Sequence, residues 1–392
     1  MKIVGTFGEA VVMIDAIDET TDAQIQSILD HPISIDANIR IMPDCHAGSG
    51  CVIGYTQIIN GYIVPNLVGV DIGCGVIAAK LGKISIDFKE FDCYVKQHIP
   101  LGFAHRTRSE SKNVAQYIEN ADHIQNFHPI IEMLALDVEQ VLSQIGTLGG
   151  GNHFCELGMD EMSNVWAFIH SGSRNFGLRV AKYFQKRAKE IGNAVKDSVV
   201  IPIDTDYLVS DDWEYMEYLQ AMDVGCEFAQ INRFAMMNLI VNFFGLKLDE
   251  IDVIESVHNY INRYDMIVRK GAISAHNGEK CLIPFNWIDG IAICTGLGNS
   301  DYNFSAPHGA GRVMSRKKAN SIVKIEKLSE LLLSNNIYST TTQFALDEAP
   351  EVYKSVESIA KFIQPTATID HLVKPIYSLK SIDTPKYMKC TQ

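Results

Sequence analysis

CVIGYTQIINGYIV (51–64) alternates apolar and polar residues over 51–59, turns at Asn60-Gly61 and resumes at Tyr62–Val64. Asn-Gly between such runs supplies the positive φ that a two-residue turn needs, so the segment predicts a β-hairpin and a β-rich first third. Working outward, helices are expected near 86–98 and 129–144, the second stopped by Gly146. A strand VWAFIH (165–170) feeds the turn SGSR and a helix from Phe176 to Ile191. Ser210, followed by Asp211 and Asp212, reads as the N-cap of a long helix reaching towards Gly245. The Met, Phe and Ile content of that helix marks its methionines as core filler rather than a ligand box. Two more helices fit 317–334 and 348–362, the latter started by Asp347 with Pro350 in its first turn. Strands and helices do not alternate in a βαβ rhythm. The expected class is α+β, neither a doubly wound sheet nor a TIM barrel.

The chain has 392 residues, 47% of them hydrophobic, enough to bury a core without disulfide or metal staples. With 21% charged residues and 9% aromatics, wholesale disorder is excluded. The most apolar stretch, Asn66 to Gly82, is broken by Asp71 and Lys80, so no membrane span is expected. Glu9 and Asp15 interrupt any signal-peptide core. Nine cysteines, odd in number and without a CxxC pair, point to a reducing, cytoplasmic setting. The formal charge of −13, from 34 Lys+Arg against 47 Asp+Glu, counts against a general nucleic-acid binder, although a local basic surface can coexist with it.

Chemistry concentrates in loops that join glycines to metal-capable side chains: MPDCHAGSG (42–50), VGVDIGCGV (68–76), GTLGGGNHFCE (146–156), IHSGSRNFG (169–177), VHNY (257–260) and SAPHGAGR (305–312). Asp71 and Cys74 share one turn and form half of a metal site, which His153, His170 and His258 would complete as neutral imidazoles. Each alone is as readily a packed residue; together they make the stronger case. Thiolate plus imidazole by themselves suit zinc, and spacing does not name the metal.

In SAPHGAGR, Gly309, Ala310 and Gly311 offer backbone N–H groups to an anion, with Arg312 and Arg316 nearby and His308 as acid, ligand or nucleophile. The bland alternative is a structural turn. Arg179, Lys182, Lys186 and Lys189 are spaced along one helical face directly after the HSGSR loop, and Arg312, Arg316, Lys317 and Lys318 form a second basic cluster. Because both adjoin glycine-framed loops, a phosphodiester backbone near the site is credible despite the acidic total.

In this order, MPDCH, VGVDIGCG, GTLGGGNHF, HSGSRNFG, HNY, RKGA (269–272), HGAGR with MSR (314–316) and DEAPEVYK (347–354) resemble the RtcB family of GTP- and Mn²⁺-dependent RNA ligases, over nearly the whole chain. The resemblance implies one large domain, residues 1–392, with mixed and antiparallel sheets and surrounding helices around a central metal cleft. It implies joining of an RNA 3′-phosphate or 2′,3′-cyclic phosphate end to a 5′-hydroxyl end, in RNA repair or tRNA splicing. Asp71, Cys74, His153, His170 and His258 would bind two Mn²⁺ ions, with the Cys74 thiolate bridging them. His308 would attack the α-phosphate of GTP to give a histidine–GMP intermediate. Asn152, Arg174 and Lys270 would contact phosphates or RNA; Phe154, Glu156, Tyr353 and Lys380 fall where the family holds the guanine. An archease-type activator is a further implied partner.

The chain also departs from that pattern. HAGSG (46–50) has Ser49 where the family has lysine, Val268 precedes RKGA, IPFNWIDG (283–290) replaces a shorter loop, Pro307 precedes His308, and Ser381 follows Lys380. The altered 283–290 loop keeps open a metal-dependent phosphoesterase that opens cyclic phosphates without joining ends. A non-catalytic RNA-end binder is the third expectation.

Overall fold

The computed structural model describes residues 1–107, 124–191 and 205–381; Cys390 lies outside them. Two large sheets dominate, as the α+β reading expects. A six-stranded sheet runs in the order Lys2–Val4, Glu9–Val12, Ile39–His46, Ile53–Ile58, Ile267–Lys270, Asn259–Asn262, antiparallel except for its second pair. A seven-stranded antiparallel sheet runs Val253–Val257, Gly75–Gly82, Val165–Ser171, Phe154–Met159, Ala367–Lys380, Gly290–Gly296, Lys280–Asn286.

The strand GVIAAKLG is a near-continuous apolar run because both its faces are covered. Ile77, Ala79 and Leu81 pack with Leu157, Ile169 and the long helix Trp213–Phe243 through Met236, Met237 and Ile240. On the other face, Val76 and Ala78 meet Leu282, Ile291, Ile293 and Val373 from the sheet's own far strands. The two edge strands are also tied, Leu282 N donating to Ser256 Oγ at 2.9 Å, so the sheet closes over itself. The long helix serves both cores, its earlier turns (Tyr218, Met222, Phe228) packing in the cluster under the six-stranded sheet. Met222, Met236 and Met237 are core residues, as expected, while Met216 in the first turn is 54% exposed.

Several local expectations change. The 51–64 segment is not a hairpin. Ile53–Ile58 pairs with Ile39–His46 and Ile267–Lys270, while Tyr62–Ile63 pairs with Leu208–Val209. Gly61 does take positive φ (+94°), but Asn60 donates to Ile35 O and Gly61 O accepts from Ser210 N, so the turn throws the chain into a separate ribbon. Tertiary partners outvoted the local turn signal. The 129–144 helix is two, Ile124–Met133 and Val138–Leu142, parted at Ala135 with φ +50°. Asp212, not Ser210, occupies the N-cap of the long helix. The 317–334 helix breaks into Arg316–Ile322 and Ile325–Ser334. Residues 346–352 form 3₁₀ turns, and the helix that follows starts only at Val356, capped by Ser355. No helix among the described residues is long and apolar enough to cross a membrane.

Candidate metal centre and nucleotide cleft

Register assembles the metal donors. Cys74 immediately precedes Gly75–Gly82, His258 immediately follows Val253–Val257, His170 lies in Val165–Ser171, and His153 immediately precedes Phe154–Met159. These are four adjacent strands, with Gly75 paired to both Val257 and Ser171, and His170 paired to Phe154. Cys74 Sγ lies 3.5 Å from His153 Nε2 and 3.3 Å from His170 Nε2; His170 Nε2 is 3.4 Å from His258 Nε2. Asp71 Oδ2 is 3.1 Å from His153 Nε2. All five expected donors therefore converge. Ligand atoms of Cys74, His153 and His170 lie within 4.8 Å of one another, a cluster able to hold a metal ion.

The surroundings fix which ring nitrogens face inwards. His153 Nδ1 lies 2.9 Å from Leu148 O and His170 Nδ1 3.1 Å from Asn152 O, so each Nδ1–H donates to a carbonyl and each Nε2 carries the lone pair toward Cys74. Burial, aided by neighbouring imidazoles, holds His170 and His258 well below the ordinary histidine range, so both rings are neutral. Burial and the Asp71 carboxylate push the Cys74 thiol well above its ordinary value. A bound cation reverses that preference by taking the thiolate. Burial opposes charge on Asp71 too, yet its contacts with His153 and the nearby Arg174 hold its carboxyl below the usual range. Asp71 Oδ1 accepts from Ser173 N at 3.1 Å, and a methyl group at Gly172 would sit 2.2 Å from that oxygen, so only glycine admits the carboxylate.

Behind the donors stand two buried polar residues that sequence reasoning missed. Arg233 Nη1 donates to Gly73 O (2.6 Å) and Ser171 O (2.8 Å), and its Nε to Glu255 Oε1 (2.7 Å). Asn232 accepts from the backbone N–H groups of Gly146 and Thr147 and donates to Gly172 O. The signal was an Asn-Arg pair inside an apolar helical run, where burial demands partners.

From the metal cluster a row of imidazoles leads to His308. Ring centroids are 5.2 Å apart from His153 to His170, 5.2 Å from His170 to His258 and 5.0 Å from His258 to His308. His308 follows the strand Ser305–Pro307, paired with Ala272–Ser274, so the Pro307 departure sits in a regular edge position. Asp44, a buried residue not singled out from sequence, organises this loop: its Oδ2 accepts from His308 N (3.1 Å) and Gly309 N (3.2 Å) and lies 2.7 Å from His308 Nδ1, out of hydrogen-bond alignment. The anion held by Gly309 is thus an internal carboxylate. With Nδ1 against Asp44, Nε2 is the ring nitrogen left for chemistry. A methyl group at Gly311 would sit 2.1 Å from Asp44 O, which explains the glycine.

A cleft of about 790 Å³ joins both ends, its walls including Asp71, Cys74, Asn152, Phe154, Glu156, His170, His258, His308, Gly309, Ala310, Gly311, Tyr353 and Lys380. Beyond His308, Lys380 Nζ lies 4.1 Å from the centroid of the Phe154 ring and 3.9 Å from Glu156 Oε2. Burial raises the Glu156 carboxyl and lowers the Lys380 ammonium, each offset by the other's charge. Tyr353 Oη donates to Glu348 and lies against Arg312. Arg312 and Arg316 are engaged by Glu348 and by Asp347, so this basic cluster is half of an ion network in the cleft wall rather than a free anion surface. Lys317 and Lys318 are exposed.

Arg174 and Lys270 lie outside the cleft lining. Arg174 donates to Thr147 Oγ1 (3.1 Å) and Gly102 O (2.7 Å). Lys270 is buried, its Nζ donating to Ser49 O (2.8 Å) and Asn66 O (3.0 Å). Ser49, the departure from the lysine pattern, does line the cleft, as do Pro284, Phe285, Asn286 and Trp287 of the altered loop.

The sequence model described as tRNA-splicing ligase RtcB matches residues 24–383. The chain belongs to the RtcB family. Among RtcB relatives it is similar to the RNA-splicing ligase RtcB of Escherichia coli strain K12, 31% identical over 386 residues that cover 88% of this chain and 89% of the relative. RNA-splicing ligase RtcB1 of Escherichia coli strain ATCC 25922 is 30% identical over 383 residues, covering 88% and 89%. The tRNA-splicing ligase RtcB of Methanococcus maripaludis is 25% identical over 443 residues, covering 92% and 91%.

Proposed function

We propose that this chain is a single-domain RNA ligase that joins 3′-phosphate or 2′,3′-cyclic phosphate ends to 5′-hydroxyl ends through a covalent nucleotide on His308. Membership of a family whose relatives are named RNA-splicing and tRNA-splicing ligases supports the reaction class. The observation that carries the mechanism is the row of rings placing His308 5.0 Å, centroid to centroid, from an imidazole of the metal cluster. Both large sheets contribute to the cleft wall, His46 and Ile53 from one and Phe154 and Ile291 from the other, which supports a single functional unit.

The donor set of one thiol, one carboxylate and three imidazoles suits a divalent metal, and Asp71, Cys74, His153, His170 and His258 would hold two Mn²⁺ ions there. Bound there, the metal supplies charge neutralisation for phosphate oxygens. The protein's own groups do the rest. Asp44 holds His308 with Nε2 presented as the nucleophile. The Nε2 lone pair forms a bond to the α-phosphorus of GTP as the bond to pyrophosphate breaks, giving histidine–GMP. Glu156, Lys380, Phe154 and Tyr353 form the pocket for the base, and Asn152 faces the phosphates. GMP then passes to the RNA 3′-phosphate, and the incoming 5′-hydroxyl displaces it.

The phosphoesterase reading keeps one supporting observation: the altered loop Pro284–Trp287 lines the cleft. Incubation of the protein with Mn²⁺, GTP and two end-labelled RNAs separates the readings. Ligase action gives a joined product only with GTP, and none from His308→Ala. Full-rate opening of the cyclic phosphate without GTP, and no joined product, would instead establish the phosphoesterase.

A further inference from the structure

The helix Arg174–Ile191 starts at the metal end of the cleft: Ser173 N donates to Asp71 Oδ1, and Arg174 reaches across to Gly102 O. It packs through Phe176, Val180, Ala181, Phe184 and Ala188, and on the opposite side it exposes Arg179, Lys182, Lys186 and Lys189. These four recur at +3, +4 and +3 and form one stripe spanning about 15 Å at 1.5 Å per residue. Among the described residues only Lys186 has a recorded acidic partner, Glu190 at 3.4 Å. Such a stripe is not a by-product of composition, since the chain carries a net charge of −13.

A second feature sits at the head of the stripe. Phe103, 69% exposed, follows Gly102, the residue whose carbonyl Arg174 grips, and Gly102 N donates in turn to Gly149 O of the glycine loop before His153. An apolar ring left in water, tied through Gly102 to the first residue of the helix that carries the cationic row, supplies the second of the two components of single-strand recognition, a stacking platform and a charged track.

We infer that the exposed face of Arg174–Ile191, with Phe103 at its head, is the docking track for the single-stranded RNA leading into the metal end of the cleft. This rests on the RNA-ligase reading and adds a direction to it. The strand approaches from the Asp71 side of the cleft, where the helix begins, while the nucleotide occupies the His308 end. Arg179, Lys182, Lys186 and Lys189 hold backbone phosphates without reading sequence, and Phe103 stacks on a base near the terminus. These are positioning residues; none touches the reacting atoms.

The test is binding of a fluorescent 20-nucleotide RNA 3′-phosphate, read by anisotropy across a salt series, for the full-length protein and for R179Q/K182Q/K186Q/K189Q. Up to four lost phosphate contacts lower the slope of log K against log salt by about 2 to 3, at roughly 0.7 per contact on a single strand. F103A weakens binding about tenfold with little change in slope. K317Q/K318Q, on the exposed basic patch beside the nucleotide end, leaves the slope unchanged. In ligation, the quadruple variant raises KM for the long RNA with kcat and GTP-dependent labelling of the protein intact, and a three-nucleotide RNA is joined with the same KM as by the wild type. An unchanged slope and KM in the quadruple variant would overturn the track. So would equal loss of slope in K317Q/K318Q, or loss of binding to phosphatidylserine vesicles with RNA binding unaffected. Because binding is read without ligation, failure of the ligase reading shows separately, as RNA bound along the track with no joined product.

Discussion

The two ends of the cleft are built in different ways. At the metal end, donors sit at the ends of four adjacent strands, and hydrogen-bonded register brings Cys74, His153, His170 and His258 together, backed by Arg233 on Gly73 O and Ser171 O. At the His308 end, Phe154 and Lys380 also come from paired strands, but Tyr353, Glu348, Arg312 and His308 come from loops and 3₁₀ turns held by ion pairs and one carboxylate. Backbone register is costly to alter and tolerates little variation. Loops fixed by side chains can be rebuilt one residue at a time. The departures at Ser49 and 283–290 line the cleft, whereas Ser381 meets the metal end only through the backbone, its N donating to His153 O.

The largest expected effect breaks the metal end from behind. Arg233→Met leaves Glu255 without its buried partner and strips Gly73 O and Ser171 O of a donor, and it should cost about 3 kcal/mol or more of unfolding free energy in a denaturant titration. A loss under about 1 kcal/mol would mean that the register holds the donors unaided.

Next comes the Cys74 sulfur. Cys74→Ala should lower Mn²⁺ affinity by more than about a hundredfold in isothermal titration, since even residues that merely orient ligands are worth 10–100-fold. Mn²⁺ should raise the thermal unfolding midpoint of the wild type and leave that of the variant unchanged. Near-normal affinity would remove the sulfur from the site.

At the other end, Asp44→Asn should slow GMP transfer to the protein about a hundredfold by misplacing the His308 ring, with the KM for GTP nearly unchanged. A rise in KM with kcat intact would make Asp44 a wall of the pocket instead.

The smallest effect concerns Glu156. Burial raises its carboxyl in the folded protein, so between the ordinary carboxylate range and that raised value the folded state holds a proton that the unfolded state has released. Stability therefore falls as pH rises through that window. Glu156→Gln should flatten this part of a stability–pH profile; an unaltered slope would place the effect elsewhere.

How much of this was legible in the sequence follows the same division. Asp71, Cys74, His153, His170 and His258 are readable because glycine-framed loops flank the strands that carry them, and the strand VWAFIH announces itself by composition. Asp44, Asn232 and Arg233 were not, because their partners are backbone groups distant in sequence and no local pattern reports a buried carboxylate under a loop. Gly309 read as an open anion cradle for the same reason. The 51–64 hairpin failed where Asn60-Gly61 obeyed its local rule but Leu208–Val209 was the partner waiting for Tyr62–Ile63. Arg312 and Arg316 looked like free cations because Asp347 and Glu348 are more than thirty residues away along the chain.

The central claim is that His308 stands between a metal cluster and a nucleotide pocket. Mass spectrometry of peptides from protein incubated with Mn²⁺ and GTP tests it most directly. One GMP is expected on the peptide containing His308, absent without Mn²⁺ and absent from Cys74→Ala. GMP on a lysine, or no adduct on a protein that still binds Mn²⁺ and GTP, would contradict it.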